Sequence, residues 1–323
     1  SFTKSGSSNV YILDRFYQVS NASAATVVYS QDTDTPANFK NSLKFSVTTA
    51  DTDITSQRCL ISQFIEGQNV AHLNWGTADA QDVTLSFWVR SSLTGTFGGS
   101  FVNSAEDYSY PFTYTISSAD TWEYKTVNVT GPTAGTWLDT NGVGIRIHWS
   151  MGTGTYRQGT AGAWASARYE GATGQVDPVS TTGATWYITG VQLEVGSVAT
   201  PFEHRSYGEE LALCSRYFFQ IGYPNHPVSV GDRFGAGYMN GTTTWLGTVP
   251  VLNQMRASPS WSDSGVQVAS AAGTTGVSTV AIAASTGSTV NVAISTVGSL
   301  TSGQGANLRF STTTSYLKFD AEL

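Results

Sequence analysis

The sequence predicts an all-β protein: an antiparallel jelly-roll sandwich over residues 1–200, a linker with one short helix over 201–222, and a second β-rich domain over 223–323. Three observations carry this reading. Apolar and polar residues alternate at period two through much of the first 195 residues. Ser, Thr, Asp, Asn and Gly cluster between those runs, as turns require. No amphipathic helix separates one run from the next, which excludes a doubly wound α/β fold, where helices must alternate with strands.

The alternation is cleanest where Val83, Leu85, Phe87 and Val89 interleave with Thr84, Ser86, Trp88 and Arg90. Leu43, Phe45 and Val47 repeat it, and Leu60, Ser62 and Phe64 against Ile61 and Ile65 do so less regularly. Further strands are expected at 10–19, 25–30, 97–103, 111–117, 121–130, 142–149 and 185–195. Short strands in such number without intervening helices pack as a sandwich or jelly roll. Between His148 and Thr185 the rhythm stops for 36 residues that hold seven glycines together with Tyr156, Arg157, Trp164, Arg168 and Tyr169. Loops beyond ~12–15 residues are uncommon in compact domains unless functional or disordered. Two readings stand: the rings and arginines face a ligand, or Trp164 and Tyr169 anchor the loop to the sandwich.

Pro201 biases Thr200 away from helix, marking a boundary. A helix is expected just after it, over 206–220: Ser206 and Glu209 have capping-box spacing, and Glu209 and Glu210 sit where the helix dipole favours acids. Tyr207, Leu211, Cys214 and Phe218, spaced four, three and four apart, form one stripe. That stripe either packs on its own domain or serves as the seam of a contact between copies or domains. Three turns are too short to hold a coiled coil unaided.

Residues 264–308, a run of 45, contain no Asp, Glu, Lys or Arg, although Val277, Val280, Ile282, Val290, Val292 and Ile294 give them a β pattern. Edge strands of soluble monomers carry charges that block edge-to-edge pairing. The expectation is that sister subunits cover this run; a flexible Ser/Thr/Gly/Ala linker is the alternative.

Charged residues make up 12% of the chain and the net charge is −7, a balance that excludes a nucleic-acid binder built on clustered Lys and Arg. No apolar stretch approaches the ~18 residues of a membrane span, so no membrane insertion is expected. The chain starts at Ser1 without a leader-like apolar stretch, as a processed chain or the later part of a longer one would. Cys59 and Cys214 are the only cysteines and are read as buried free thiols, not as a disulfide framework or a zinc site.

Chemical motifs are scarce. His72, His148, His204 and His226 are scattered, and no HExxH, Gly-x-Ser-x-Gly or P-loop pattern occurs. His148, opposite Ile145 and Ile147 on a predicted strand, is expected at a solvated rim. Glu106 and Asp107 read as a hairpin tip more readily than as a hydrolytic dyad. Asp32/Asp34 and Asp51/Asp53 read as turn formers, so neither metal nor cofactor nor catalytic residue is assigned. What remains is a display surface: Trp75, Tyr108, Tyr110, Trp137, Trp149, Tyr156, Trp164 and Tyr169 fall in or beside predicted loops. Sugars stack on ring faces while polar neighbours read their hydroxyls, for which Asn103, Arg157, Gln158, Arg168 and Asp177 are available. Tyr108, Tyr110, Trp137, Tyr156, Arg157, Trp164, Arg168 and Tyr169 are accordingly the ligand-binding candidates.

The segment GATWYITGVQLEVGSVATPFEHRSYGEELALCSRYF resembles a stretch of bacteriophage and prophage tail-fibre or tail-tip proteins. There a jelly-roll domain similar to a carbohydrate-binding module ends in ITGVQLE-G--ATPFE and is followed by a helix of the type ELALCQRYY. The segments SGSSNVYILDRFY, FWVRSS, TWEYKTVNVTGP, GAWASARYEGATG and VPVLNQMRASPSWS are similar to that family too, over about three-quarters of the chain. Ser215 departs from the glutamine common there. The resemblance implies a non-enzymatic, homotrimeric receptor-binding tip of an extracellular virion tail, the C-terminal piece of a longer fibre. Its implied partners are a bacterial surface polysaccharide or outer-membrane receptor and other tail proteins. Tyr207, Leu211, Cys214 and Phe218 would then be trimer or interdomain contacts. A fibre-shaft or head-decoration protein with all its rings packed, and a capsule depolymerase, are the rival readings.

Overall fold

In the computed structural model, which describes residues 2–13, 15–22, 24–224, 227–286 and 289–323, the chain divides into two compact units between Glu203 and His204. The first is an antiparallel jelly-roll sandwich of two six-stranded sheets. One sheet runs in the order Phe2–Ser5, Thr26–Asp32, Ser42–Thr49, Thr185–Val195, Val83–Ser91, Glu123–Val129. The other runs Ser8–Tyr11, Phe16–Ser20, Arg58–Glu66, Val143–Thr153, Gly95–Val102, Ser109–Ile116. Alternate residues of both sheets supply one core, with Tyr29, Phe45, Phe87 and Trp186 from the first and Phe97, Phe101, Phe112, Ile147 and Trp149 from the second. Phe87 meets the rings of Trp149 and Tyr114 edge-on at 5.8 and 5.2 Å, and the indole N–H of Trp186 donates to the Tyr114 hydroxyl at 3.1 Å. Such edge-to-face pairs add to the burial of large rings.

Two expectations fail in this sandwich. Trp149 is fully buried, because the strand expected to end there continues to Thr153 and Trp149 keeps the inward parity of Ile145 and Ile147. His148 is not at a wet rim; it is 4% exposed. The face of the sheet opposite the core is itself covered, for Leu60, Ser62, Glu66, Ser100 and Ser150 on that face are all buried. Cys59 lies in the core, where burial pushes its thiol up to about 12.

The second unit holds the helix Tyr207–Cys214, a three-stranded sheet and a barrel. The sheet has the order Phe218–Gly222, Tyr316–Asp320, Ser260–Ser264. The barrel runs Arg233–Met239, Thr244–Pro250, Thr289–Thr296, Gly273–Thr286, Val266–Ser270, Gly305–Phe310 and closes on its first strand. Met239, Trp245, Val249, Val268, Val290, Val292, Ile294 and Leu308 are buried in this unit's core.

Closure corrects the account of the uncharged run. A barrel has no edge to protect. The run's strands pair within one chain, Gly273–Thr286 between Val266–Ser270 and Thr289–Thr296. Their neutrality therefore needs no sister subunit. The helix is capped by Ser206 and Glu209 as the spacing predicts: the Ser206 hydroxyl accepts from the Glu209 N–H, and the Glu209 carboxylate accepts from the Ser206 N–H at 3.0 Å. It is shorter than expected, ending at Cys214, so Phe218 is not on its stripe but opens the strand that pairs with Tyr316–Asp320. Cys214 is only half-buried, unlike the core thiol foreseen for it. No helix among the described residues is long and apolar enough to cross a membrane. His226 lies outside the described residues.

Candidate ligand-binding site

The long glycine-rich segment after Thr153 is the cover on the outer face of the second sheet. Gln175 fastens it: its Nε2 donates to Ser150 Oγ at 2.6 Å and to Asp177 Oδ1 at 2.8 Å, and its Oε1 accepts from the Ala172 N–H at 3.0 Å. Gly98 and Gly171 leave room for this amide, since a Cβ at either position would lie 2.0 or 2.3 Å from Gln175 Oε1. Ser109, on the last strand of that sheet, donates through Oγ to the Ala167 carbonyl at 2.6 Å and accepts from the Tyr169 N–H at 3.0 Å. Tyr169 lies against Gly159, where a Cβ would come within 2.4 Å of its ring.

The segment carries Trp164 into a cluster of rings. Trp164 stacks on Tyr108 with centroids 5.5 Å apart and an 11° interplanar angle. It meets Trp137 and Trp75 edge-on at 5.4 and 5.6 Å and Tyr110 at 5.2 Å. Tyr108, Trp137 and Trp164 are half-buried; Trp75 and Tyr110 are buried and form the floor. Each indole N–H in the cluster is held by a backbone carbonyl: Trp164 by Thr130, Trp137 by Ala134, Trp75 by Gln81. Asn103 shapes the loop bearing Tyr108, accepting from the Asp107 and Tyr108 N–H groups and donating to Asp107 Oδ1 at 2.7 Å. Gln158 and Asp177 are spent on the backbone and on Gln175, so they are structural here.

Beside the rings lies a chain of charges. Glu170, 1% exposed, accepts on Oε1 from Arg58 at 2.7 Å and from Arg168 at 2.8 Å; Arg157 Nε stands 3.9 Å from its Oε2. Arg168 also pairs with Glu106, which holds Arg146 at 3.3 Å. Arg157 covers the half-exposed ring of Tyr156 at 5.0 Å. The charge chain joins the rings through one loop, since Glu106 and Tyr108 are two residues apart. Of the eight candidates, Tyr108, Tyr110, Trp137 and Trp164 come together as rings, Arg157 and Arg168 join the charge chain, Tyr156 sits with Arg157, and Tyr169 packs on Gly159 within the covering segment itself.

Arg58, Arg146, Glu106 and Glu170 are the members that sequence reasoning did not place here. The alternation that assigned Ile145 and Ile147 to the core also places Arg146, with His148, on the other face, a signal for one of these four. Nothing local marks Glu170. Among the described residues no group of three or more His, Cys, Asp or Glu is placed to hold a metal ion. The C-terminal unit carries a separate groove of about 500 Å³ lined by Trp261, Asp263, Val280 and Ile282 among others.

His148 Nδ1 lies 2.6 Å from the hydroxyl of Ser62 across the strand pair. Burial first, then the charges of Arg146, Arg168 and Arg58, hold its pKa well below the ordinary 6.5. The unfolded chain then takes a proton near pH 6.5 that the folded one refuses. This contribution to stability is complete above pH 6.5 and is lost as pH falls below it. Wild type is expected to lose about 1 kcal/mol more than His148→Gln between pH 7 and 5.5 in urea titrations. Equal losses would show His148 to be accessible to protons in the fold.

No protein-family model matches this chain, and no curated protein does. Among solved structures it is similar to the enzymatically active domain of tailspike protein 4 of bacteriophage CBA120, at 13% identity and a TM-score of 0.35. That match covers 59% of this chain and 21% of the other, so it spans about a fifth of the tailspike chain. It is also similar to a family 22 carbohydrate-binding module of Clostridium thermocellum Xyn10B (13% identity, TM-score 0.30, 58% of this chain and 91% of that one). A third is the family 11 carbohydrate-binding module of Clostridium thermocellum Lic26A-Cel5E (11%, 0.30, 61% and 99%). The sandwich assignment stands on the strand order of this chain.

Proposed function

We propose that this chain is a non-enzymatic glycan-binding protein, the receptor-binding tip of a phage tail fibre, acting outside the cell as a homotrimer attached to other tail proteins. One observation carries the glycan reading: three half-exposed rings, Tyr108, Trp137 and Trp164, sit beside an arginine–glutamate chain at the edge of a rigid sandwich. Ring faces suit the apolar side of a pyranose, and charged neighbours suit its hydroxyls. The virion role and the trimer rest on the resemblance of residues 185–220 to tail-fibre proteins. The helix supports the trimer. It has no buried residue, and Tyr207 is 82% and Leu211 44% exposed. An eight-residue helix is not stable without packing, and exposed apolar groups of this kind mark contact surfaces. Three copies would turn weak sugar contacts into avidity.

A second reading has its own support: all three indole N–H groups are already bonded to backbone, as in a cluster that only pins loops. The test is retention on a panel of immobilised bacterial polysaccharides and lipopolysaccharides, with native mass measured at micromolar concentration. The glycan reading expects at least one to be retained, at least tenfold more weakly by a folded Trp164→Ala variant, and a mass three times 34.4 kDa. Retention of none would favour the packed-ring reading, and a monomer would remove the trimer.

A further inference from the structure

We infer that the arginine chain around Glu170 receives an oxyanion of the ligand, a sugar carboxylate or a phosphate ester, so that the glycan bound is an acidic one. The inference rests on the glycan-binding reading above and adds the class of sugar.

Charge is the first support. Four of the chain's eleven arginines, Arg58, Arg146, Arg157 and Arg168, share two carboxylates among the described residues, Glu106 and Glu170. Among the described residues that leaves two more positive charges than negative in the network, in a protein whose net charge is −7. A network serving only to pin the cover would be held as well by matched pairs; an excess of guanidinium is suited to an added anion. Incomplete hydrogen bonding is the second support. The Nε–H groups of Arg146 and Arg157 are buried and have no acceptor among the described residues. Glu170 Oε2 is likewise without a donor, because Arg157 stops 3.9 Å short of it. Buried polar groups of native proteins are normally satisfied, so the two Nε–H groups are donors still open to an acceptor, which an anion supplies; Glu170 Oε2 is itself an acceptor and adds nothing to that count. The guanidinium fork matches the two oxygens of a carboxylate or phosphate better than an ammonium does.

Access is the third support. The four arginine side chains keep between 19% and 27% of their surface exposed, although Glu170 beneath them keeps 1%. A sugar at the exposed parts of the stacked Tyr108–Trp164 pair has the charge chain nearby, since Glu106 and Tyr108 are two residues apart in one loop. An anion arriving there would draw Arg157 or Arg146 out to meet it, while Arg58 and Arg168 stay on Glu170.

The 323-residue chain, labelled with ¹⁵N at arginine, is titrated with sodium phosphate, sodium galacturonate and galactose against sodium chloride at equal ionic strength. The Nε–H signals of Arg146 and Arg157 are followed by NMR. Saturable shifts are expected with phosphate, galacturonate or both, and none with chloride or galactose. Arg157→Gln and Arg146→Gln should each weaken the response of the remaining signal at least fivefold. A response to phosphate alone assigns a phosphate ester, and to galacturonate alone a carboxylate. Shifts no larger than those with chloride overturn the inference. Retention of a neutral polysaccharide in that case would leave the glycan reading standing. Anion titration without retention of any polysaccharide would uphold the anion site and remove the glycan reading.

Discussion

Glu170→Ala is expected to destabilise the jelly-roll domain by about 3 kcal/mol, read as a fall in the urea midpoint with little change in slope. Glu170 is almost fully buried, bonds Arg58 and Arg168, and has Arg157 within 3.9 Å, three arginines around one carboxylate. Its removal leaves Arg58, Arg157 and Arg168 facing one another without their shared partner. Breaking a buried pair by deleting one member strands the other charge, which is why it costs far more than losing a surface pair. The arginines' partial exposure places the expected value at the lower end of the range for buried pairs. Since Arg168 and Arg157 belong to the covering segment, cleavage by a protease between residues 154 and 176 should accelerate in parallel. A loss under about 1 kcal/mol would mean that the guanidinium groups turn out to water and that the cover is held by Gln175 and Ser109 instead.

Trp245→Ala is expected to cost the C-terminal unit about 4 kcal/mol. Trp245 is fully buried, and its indole N–H donates to the Ala306 carbonyl at 3.0 Å. The neighbouring strands are cut to its shape. A Cβ at Gly237 would come 2.7 Å from the indole, and one at Gly247 would lie 2.4 Å from it. Truncation therefore opens a cavity that glycine-lined walls cannot fill by side-chain rotation, and it leaves the Ala306 carbonyl without that donor. Hydrogen exchange in the Thr289–Thr296 strand, which pairs with Trp245 through Ile294, should accelerate by about a thousandfold, the equivalent of 4 kcal/mol. Unchanged exchange there would show that the barrel does not depend on this residue.

Much of the architecture was readable from pattern. The interleaving of Val83, Leu85, Phe87 and Val89 with polar neighbours became a central strand, and Ser206 with Glu209 became a capping box. Both signals are local, because strand parity and helix caps depend on residues a few positions apart. The errors share a different cause. Trp149, His148 and the neutral run 264–308 were each judged by what lay next to them in sequence. What settled them was a longer strand, a covering segment returning from residues 154–176, and a barrel that closes between Arg233–Met239 and Gly305–Phe310. The stripe through Phe218 failed for a related reason, since pairing with Tyr316–Asp320 claimed that residue for a strand.

The sequence by itself determined the all-β class, the apolar side of strands such as Val83–Ser91, the capping box at Ser206, and that Trp164 with Arg157 and Arg168 lies in one unusually long segment. These follow from periodicity and composition, which act over a few residues. Tertiary structure alone decided that Arg58, Arg146, Glu106 and Glu170 meet those arginines, and that Tyr108 meets Trp164. The partners come from strands and loops up to 112 residues apart, brought together when one segment folds across the open face of a sheet.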